Sequence, residues 1–522
     1  MKNQTFYSRF ASHRKSKKTA LYYKGKRFSY AEIYSKAERQ ALLLFNQGVN
    51  EKSTVTRISD YFPESIITLL ALLKIGCSLS ILSPLLPPQA FLSLSKERKE
   101  NVIFLQDSLY KSYLPALKEK NVPLVLLSPK KDLSFFRRKA YVKENKESLA
   151  LAHKDGFTDS YLSFRSRKKR KEVPLFQNEK KEVLLFHSLG DTRPGKSYAF
   201  SNEIRDTTSV SFLKEVTPAS RKGYFLPLIP LESAAGTLSG ILTPLSLGRS
   251  ISLVTKDRVK SALTLLGRKK ADTLLRLPYR YKERLRERTK AKEKRIKSVI
   301  LTRDKPDFEL VKEGKTYERK QAYLCNEAGG FLLGGDNKIS DPSCLGNPLP
   351  PFQAVLLPLK GTSRVNRGEE GRLAFSLPKG FLGYKGKSLS SSTIFFDNRP
   401  FFIRDDILVN KEGNYYFVKR RENIVRFHGY PVYLNLVENL SLSIPGVISA
   451  KVFFDHSINH IPYFHLYIEN RDHSDEVLFK ELRARFDDKR RYYSIPKRIS
   501  VYPRFPRTYK GEIDTKALCQ FL

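Results

Sequence analysis

The sequence predicts an α/β protein over most of its length, then a small β-rich segment and a compact α+β tail. Three observations predict this. Short apolar runs alternate with amphipathic runs at helical spacing through about residue 330, the texture of layered, mostly parallel sheets. From about residue 340 Gly, Pro and short strand-like runs dominate ("GNPLPPFQAVLLP", "GEEGRLAFSLP", "GNYYFVKR"), as in a small antiparallel unit. Beyond Arg420, helix-like and strand-like pieces alternate again over about 100 residues, an ordinary domain length.

In "FSYAEIYSKAERQALLLFNQGV", Ser29 is placed to cap a helix, with Glu32 three residues on to complete a capping box. Ile33, Ala37, Ala41 and Leu44 follow helical spacing, and Gly48 ends the run. "PESIITLLALLKIGCSLSILSPLLPP" reads as helix, turn, strand and proline stop. Its apolar stretch Ile66–Leu86 is interrupted by Lys74 and then by Gly76, Ser78, Ser80, Ser83 and Pro84, which suits a buried helix running into a buried strand better than a membrane span. "VPLVLLS", "VLLFHS", "GYFLPLIP", "SISLVT", "KSVILT" and "AYLCNEAGG" read as further buried strands. In the tail, "YLNLVENLSLSI" and "SDEVLFKELRARF" read as helices, and "SAKVFFD", "IPYFHLYIE" and "RISVYP" as strands.

Composition narrows the function classes. With 522 residues, 40% apolar content, Tyr 27 and Phe 34, the chain has the material for real cores and is not a disordered polymer. Its four cysteines are far apart and form no C-x-x-C, which argues against a disulfide scaffold or a zinc site and suits a reducing cytoplasm. The N-terminus lacks the apolar segment of a signal peptide. The expectation is a soluble, cytoplasmic protein. A net charge of +42 predicts attraction to polyanions: nucleic acid, an anionic membrane or an acidic protein. The densest basic runs are "RSRKKRK" and "RYKERLRERTKAKEKRIK"; the second carries Glu at helical spacing, as on a solvated helix face.

The stretch "KEVLLFHSLGDTRPGKSYAFSNEI" holds the most specific local pattern. Gly190 to Ser197 fit G-x-x-x-x-G-K-[ST], the loop of P-loop NTPases. The same residues also suit a worn Ser/Thr/Gly phosphate loop of another kind. A P-loop requires a strand ending in Asp further on to help hold magnesium. The runs ending in Asp397 and Asp455 lie in the β-rich segment and the tail, which is the wrong place.

Read in order, the segments resemble the adenylate-forming superfamily of acyl-CoA synthetases, peptide-synthetase adenylation domains and luciferases. The resemblance is carried by "FSYAEIYSKAERQALLLFNQGV", "KADTLLRLPYRYKERL", "NRGEEGRLAFSLPKGFLGYKGKS", "PFFIRDDILVNKEGNYYFVKRRENIVRFHGYPV" and "YYSIPKRISVYPRFPRTYKGEIDTKAL". It covers nearly the whole chain. It implies a large N-terminal part, residues 1–419, of two α/β-layered subdomains plus a β-rich subdomain at about 340–419. A small mobile α+β lid, residues 420–522, follows. The implied activity is ATP-dependent, Mg2+-assisted conversion of a carboxylic acid to an acyl-adenylate, then transfer to the thiol of CoA or phosphopantetheine. The apolar "PLIPLESAAGTLSGILTPLSLG" lies where such enzymes build the acyl pocket and favours a fatty or aryl acid. The basic surface suits an acidic acyl carrier protein.

The resemblance also implies roles for single residues. Ser188, Thr192 and Lys196 fall on the phosphate loop, with Asp191 bringing an unusual negative charge. Tyr323 matches the ring that stacks on adenine, Asn326 stands for the usual Thr, and Glu327 matches the magnesium ligand. Asp406 and Arg420 match the ribose contacts, although Asp405 replaces a Gly. Glu422 lies at the hinge and Gly429 on the loop that meets the thiol acceptor. The catalytic lysine position is occupied by Glu512, with Lys510 two residues away as its substitute. A catalytically impaired member acting as a binding or scaffold protein, a polyanion binder and a P-loop NTPase are the alternative readings.

Overall fold

The computed structural model describes residues 5–96, 98–120, 122–157, 172–187, 197–206, 212–214, 216, 222–253, 271–275, 298–302, 318–336, 344–358, 361–385, 393–396, 399–420, 424–427, 430–442, 444, 446–455, 463–470, 478, 480–481, 484, 496–507 and 513–519. The chain divides into two compact units, Met1–Arg421 and Glu422–Leu522.

The first unit opens with α1 (Phe6–Ala11) and a hairpin of β1 (Thr19–Tyr23) and β2 (Lys26–Ser29). α2 (Tyr30–Asn46) starts where the Ser29 hydroxyl accepts the Glu32 N–H at 3.1 Å, satisfying a first-turn donor that has no helical partner. The Glu32 carboxylate takes Lys36 at 2.8 Å, so the capping box is only half made. The helix buries Ile33, Ala37, Ala41 and Leu44, the positions that helical spacing singles out.

β3 (Thr54–Ile58), α3 (Pro63–Ile75), β4 (Ser78–Leu82), α4 (Pro88–Lys96), β5 (Val102–Gln106), α5 (Tyr110–Lys118) and β6 (Leu124–Leu127) follow as strand–helix units. α3 is buried along nearly its whole length, Lys74 included, because the Lys74 ammonium meets the Glu38 carboxylate of α2 at 2.5 Å. Gly76 ends α3 with φ +80°, and a Cβ there would lie 2.0 Å from the Phe176 ring; both the left-handed turn and the close approach require glycine. No helix among the described residues is long and apolar enough to cross a membrane.

α6 (Phe135–Glu144) and α7 (Lys146–Lys154) precede the hairpin of β7 (Glu182–His187) and β8 (Ser197–Ser201). These strands build a sheet ordered β8-β7-β4-β3-β5-β6, parallel throughout except for the β7–β8 pair. A second sheet takes β9 (Tyr224–Pro227), β10 (Ile251–Leu253), β11 (Ala271–Leu275), β12 (Ser298–Thr302) and β13 (Glu318–Cys325) in parallel with β1. β14 (Gly330–Asp336) then turns back antiparallel to β13.

β15 (Cys344–Pro348), β16 (Ala354–Leu357), β17 (Glu370–Ser376), β18 (Phe381–Tyr384), β19 (Thr393–Phe396), β20 (Arg399–Lys411) and β21 (Asn414–Arg420) make the β-rich segment. The order β16-β17-β20-β21-β15 is antiparallel and joins the second sheet through β14. β18 instead leaves this group and adds to the first sheet beside β8. That departure brings side chains from all three sheets to one place.

The second unit holds a hairpin of β22 (Ile424–Phe427) and β23 (Tyr430–Tyr433), then the helix Leu434–Leu442. Its sheet is β24 (Val447–Asp455), β25 (Tyr463–Asn470) and β26 (Arg498–Tyr502), with β25 central and every residue of β25 buried. Buried charge is paired here as well: Arg507 meets Glu469 at 2.7 Å and Lys451 meets Glu438 at 3.2 Å.

Candidate active site

The turn Asn326–Gly329 links β13 to β14, closed by the Gly329 N–H donating to the Asn326 carbonyl at 3.0 Å. Glu327 on this turn is buried, and three elements reach it. Arg404 of β20 places Nη1 2.6 Å from Oε2. The Tyr384 hydroxyl of β18 donates to Oε1 at 2.7 Å. The Cys325 thiol of β13 donates to Oε2 at 3.2 Å, and Arg404 Nη1 also donates to Cys325 Sγ at 3.3 Å. Burial pushes the Cys325 thiol up to about 12, with Arg404 opposing and Glu327 adding to the shift; this sulfur stays protonated. Burial and the Glu327 charge also raise the Tyr384 hydroxyl, which holds its proton on the carboxylate.

Asn326 faces the other way. Its Oδ1 accepts the Ala235 N–H at 3.2 Å, at the start of the helix Ala234–Thr237, whose cap is the Ser233 hydroxyl accepting the Gly236 N–H at 3.0 Å. The turn is thereby tied to the apolar segment expected to form an acyl pocket. In that segment Glu232 accepts the Ser83 hydroxyl at 3.1 Å. Thr237 and Tyr61 share a hydrogen bond of 2.5 Å.

Tyr323 is 1% exposed and belongs to an apolar cluster with Cys325, Leu333 and Phe402. The Arg404 guanidinium lies 5.8 Å from its ring centroid. As placed, the ring packs in the core and presents no open face for stacking. Asp406 and Arg420 are cross-strand partners on β20 and β21, so the backbone brings the two expected ribose residues opposite each other, two residues from Arg404.

The β7–β8 hairpin flanks the segment expected to be a phosphate loop. His187 and Ser197 are its last register pair. This corrects the P-loop NTPase alternative: Ser197 opens a strand, whereas a P-loop Ser/Thr opens a helix whose N–H groups cradle phosphate. The residues between, including Ser188, Thr192 and Lys196, lie outside the described residues, as do Glu422, Gly429, Lys510 and Glu512.

Sequence reasoning missed three residues here. His187 bonds Ser80 through Nε2 at 2.7 Å and Ser197 through Nδ1 at 2.8 Å. Burial, and then the Arg98 charge, push it down to about 3, so it is a neutral bridge at the mouth of the hairpin. Arg404 and Tyr384 were overlooked because isolated Arg and Tyr residues in β-rich sequence carry no motif. Only the topology shows that they converge on Glu327.

The AMP-binding enzyme family matches residues 8–172. The D-alanine–D-alanyl carrier protein ligase of Bacillus licheniformis is 23% identical over 181 residues, 33% of this chain and 36% of the relative. The long-chain-fatty-acid–CoA ligase of Bacillus subtilis is 21% identical over 525 residues, 96% of this chain and 91% of the relative. The amide bond synthetase McbA from Marinactinospora thermotolerans superposes with a TM-score of 0.77 at 18% identity, covering 99% of this chain and all (100%) of that one. The chain carries an AMP-binding family match over its first third and shares the fold of adenylate-forming enzymes along its length.

The first curated relatives are matched over only 14% to 36% of their own lengths, while the structural likeness establishes the adenylate-forming fold end to end. On that fold, the magnesium assigned to Glu327 meets a specific obstacle. Both carboxylate oxygens are engaged, one of them by a guanidinium that already balances the charge. Among the described residues no group of three His, Cys, Asp or Glu is placed to hold a metal ion. With Arg404 in place, these residues do not fit a resident metal.

Proposed function

We propose that this chain activates a carboxylic acid, fatty or aryl, with ATP and passes the acyl group to the thiol of CoA or of a carrier-bound phosphopantetheine. The observation that carries the reading is the end-to-end alignment with a fatty-acid–CoA ligase, supported by the shorter match to a carrier protein ligase. On this reading a carboxylate oxygen attacks the α-phosphorus and pyrophosphate leaves. The acceptor sulfur then attacks the acyl carbon and AMP leaves.

Ser188, Thr192 and Lys196 hold the phosphates on this reading, Asp406 and Arg420 the ribose, and Asn326 the turn beside the acyl pocket. Arg404, rather than an ion, balances Glu327 and so fixes the turn that carries Asn326 beside that pocket. Lys510 takes over the cationic role that Glu512 vacates, Glu422 serves as the hinge and Gly429 meets the thiol. The four-cysteine composition and the buried thiols at Cys77, Cys325 and Cys344 suit a reducing cytoplasm. The basic surface suits an acidic acyl carrier protein.

One observation favours a second reading, a member that binds its ligands without turnover. By the resemblance, Glu512 stands at the usual lysine position, and a carboxylate cannot bridge two anions. Acid-dependent exchange of labelled pyrophosphate into ATP decides between them, run over a panel of fatty and aryl acids with Glu512→Lys and Asp406→Asn alongside. Exchange in the native chain that falls in Asp406→Asn supports the ligase. Silence in the native chain with recovery in Glu512→Lys supports the disarmed member. Silence in both, with no AMP binding by calorimetry, overturns the nucleotide reading.

A further inference from the structure

Eight large apolar residues stand exposed among the described residues, and three of them, Phe135, Phe136 and Val142, belong to the single helix α6. Phe136 is 81% exposed and Phe135 65%. No residue of this ten-residue helix is fully buried. Monomeric proteins seldom leave two adjacent phenylalanines in water, since each gives up the favourable free energy of burying its ring.

The helix presents a sided surface. Tyr141 turns toward the protein, where its hydroxyl donates to Asp107 and its ring packs on the main core. Spacings of three, four and seven residues put Phe135, Phe136, Lys139, Val142 and Lys143 on the opposite face. The two phenyl rings meet edge to face with centroids 5.6 Å apart, and the Lys139 ammonium sits 4.6 Å from the Phe135 centroid. From Lys130 to Lys146 the sequence has seven basic residues against two acidic ones. Arg138, Lys139 and Lys143 are exposed, and no carboxylate among the described residues pairs with them.

We propose that α6 is a docking surface for an anionic lipid bilayer, with Phe135 and Phe136 entering the headgroup–acyl boundary and Arg138, Lys139 and Lys143 meeting lipid phosphates and carboxylates. Charge complementarity selects this occupant. A basic rim around protruding aromatic rings matches an interface that is anionic at the surface and apolar just beneath it. The bulk +42 charge does not by itself choose one face, and two rings packed edge to face on each other suit insertion into an apolar layer better than stacking on separate bases. Tyr141 anchors the helix, so the apolar residues are presented on a fixed element.

The test is co-sedimentation of the full chain with vesicles of phosphatidylcholine alone or of equimolar phosphatidylcholine and phosphatidylserine, at low and high salt. The expected result is binding to the serine-containing vesicles, weakened by salt. Phe135→Ser/Phe136→Ser lowers the partition coefficient by about ten-fold or more. Arg138→Glu/Lys139→Glu/Lys143→Glu lowers it by about a hundred-fold. The same number of reversals elsewhere, Lys52→Glu/Lys379→Glu/Lys411→Glu on exposed positions, leaves most of the binding intact. Circular dichroism confirms folding, as the changed side chains are exposed. Absence of binding by the native chain overturns the proposal, as does binding indifferent to the phenylalanines. Equal loss in the distant triple variant overturns it too, in favour of diffuse charge.

Discussion

Arg404 Nη1 lies 2.6 Å from Glu327 Oε2, joining β20 to the turn after β13 inside a protected pocket where the two side chains are 13% and 5% exposed. Breaking such a pair from one side leaves an uncompensated buried charge, at a cost of about 3–5 kcal/mol. Arg404→Met therefore lowers the unfolding free energy by about that amount. Glu327→Gln/Arg404→Met recovers most of the loss, because neither remaining group is charged. Urea denaturation of the native chain, both single variants and the double variant measures the coupling. Additive losses would mean that the pair carries no interaction of its own.

Arg57 is the opposite case. It is fully buried on β3, its Nη1 donates to the Ser59 hydroxyl at 3.3 Å, and its guanidinium lies 4.2 Å from the Tyr61 ring centroid. Nε and Nη2 meet no hydrogen-bond partner among the described residues. An under-satisfied buried cation costs more than a packed apolar side chain of similar length. Arg57→Met is thus expected to raise the unfolding free energy by about 1–2 kcal/mol, measured by the same denaturation. A loss comparable to that of Arg404→Met would show that Nε and Nη2 are satisfied as well.

These two arginines show where sequence reading stops. The strands and helices were legible because their periodicity is local: Ser29 caps α2, the apolar spacing of α2 marks its buried face, and Lys74 belongs to a buried helix once Glu38 is seen opposite. Tyr323, Asn326, Asp406 and Arg420 take their expected roles from register along the chain alone. Whether a guanidinium is fully satisfied, as at Arg404, or only partly, as at Arg57, depends on which groups the folded chain brings to it, and sequence periodicity does not encode that. The same holds for Tyr384, which reaches Glu327 only because β18 leaves the β-rich segment to pair with β8. Tyr323 shows the reverse limit: register along the sequence assigns it to adenine, whereas packing puts its ring, on β13, into the core.

His187 makes the acid limb of stability steep. Burial holds it down to about 3, against about 6.5 when unfolded. Between those values the unfolded chain binds a proton that the native chain refuses, so stability falls as the pH drops from about 6.5 toward 3. The slope from this one group approaches about 1.4 kcal/mol per pH unit. His187→Asn removes that slope while costing stability near neutrality through the lost Ser80 and Ser197 bonds. Denaturation at several pH values should show the native and variant curves converging on acidification. Parallel curves would mean that His187 is protonated in the folded chain.

Glu64 acts in the opposite direction. Burial lifts it to about 7 from 4.5, against the lowering effect of the Ser128 N–H, which its Oε2 accepts at 2.8 Å. The native chain therefore keeps a proton that the unfolded chain has released. This contribution is fully present below about 4.5 and is lost as the pH rises to about 7. Glu64→Gln mimics the protonated carboxyl, and its carbonyl can still accept from Ser128. The variant should match the native chain near pH 4.5 and exceed it in stability by a margin growing at about 1.4 kcal/mol per unit up to pH 7. Between about pH 4.5 and 6.5 the slopes from Glu64 and His187 oppose each other and largely cancel. The native chain therefore loses little stability from this pair until the pH falls below 4.5, where His187 acts alone. Glu64→Gln should restore the full acid slope within that window, and a flat variant curve there would contradict the assigned direction of one of the two groups.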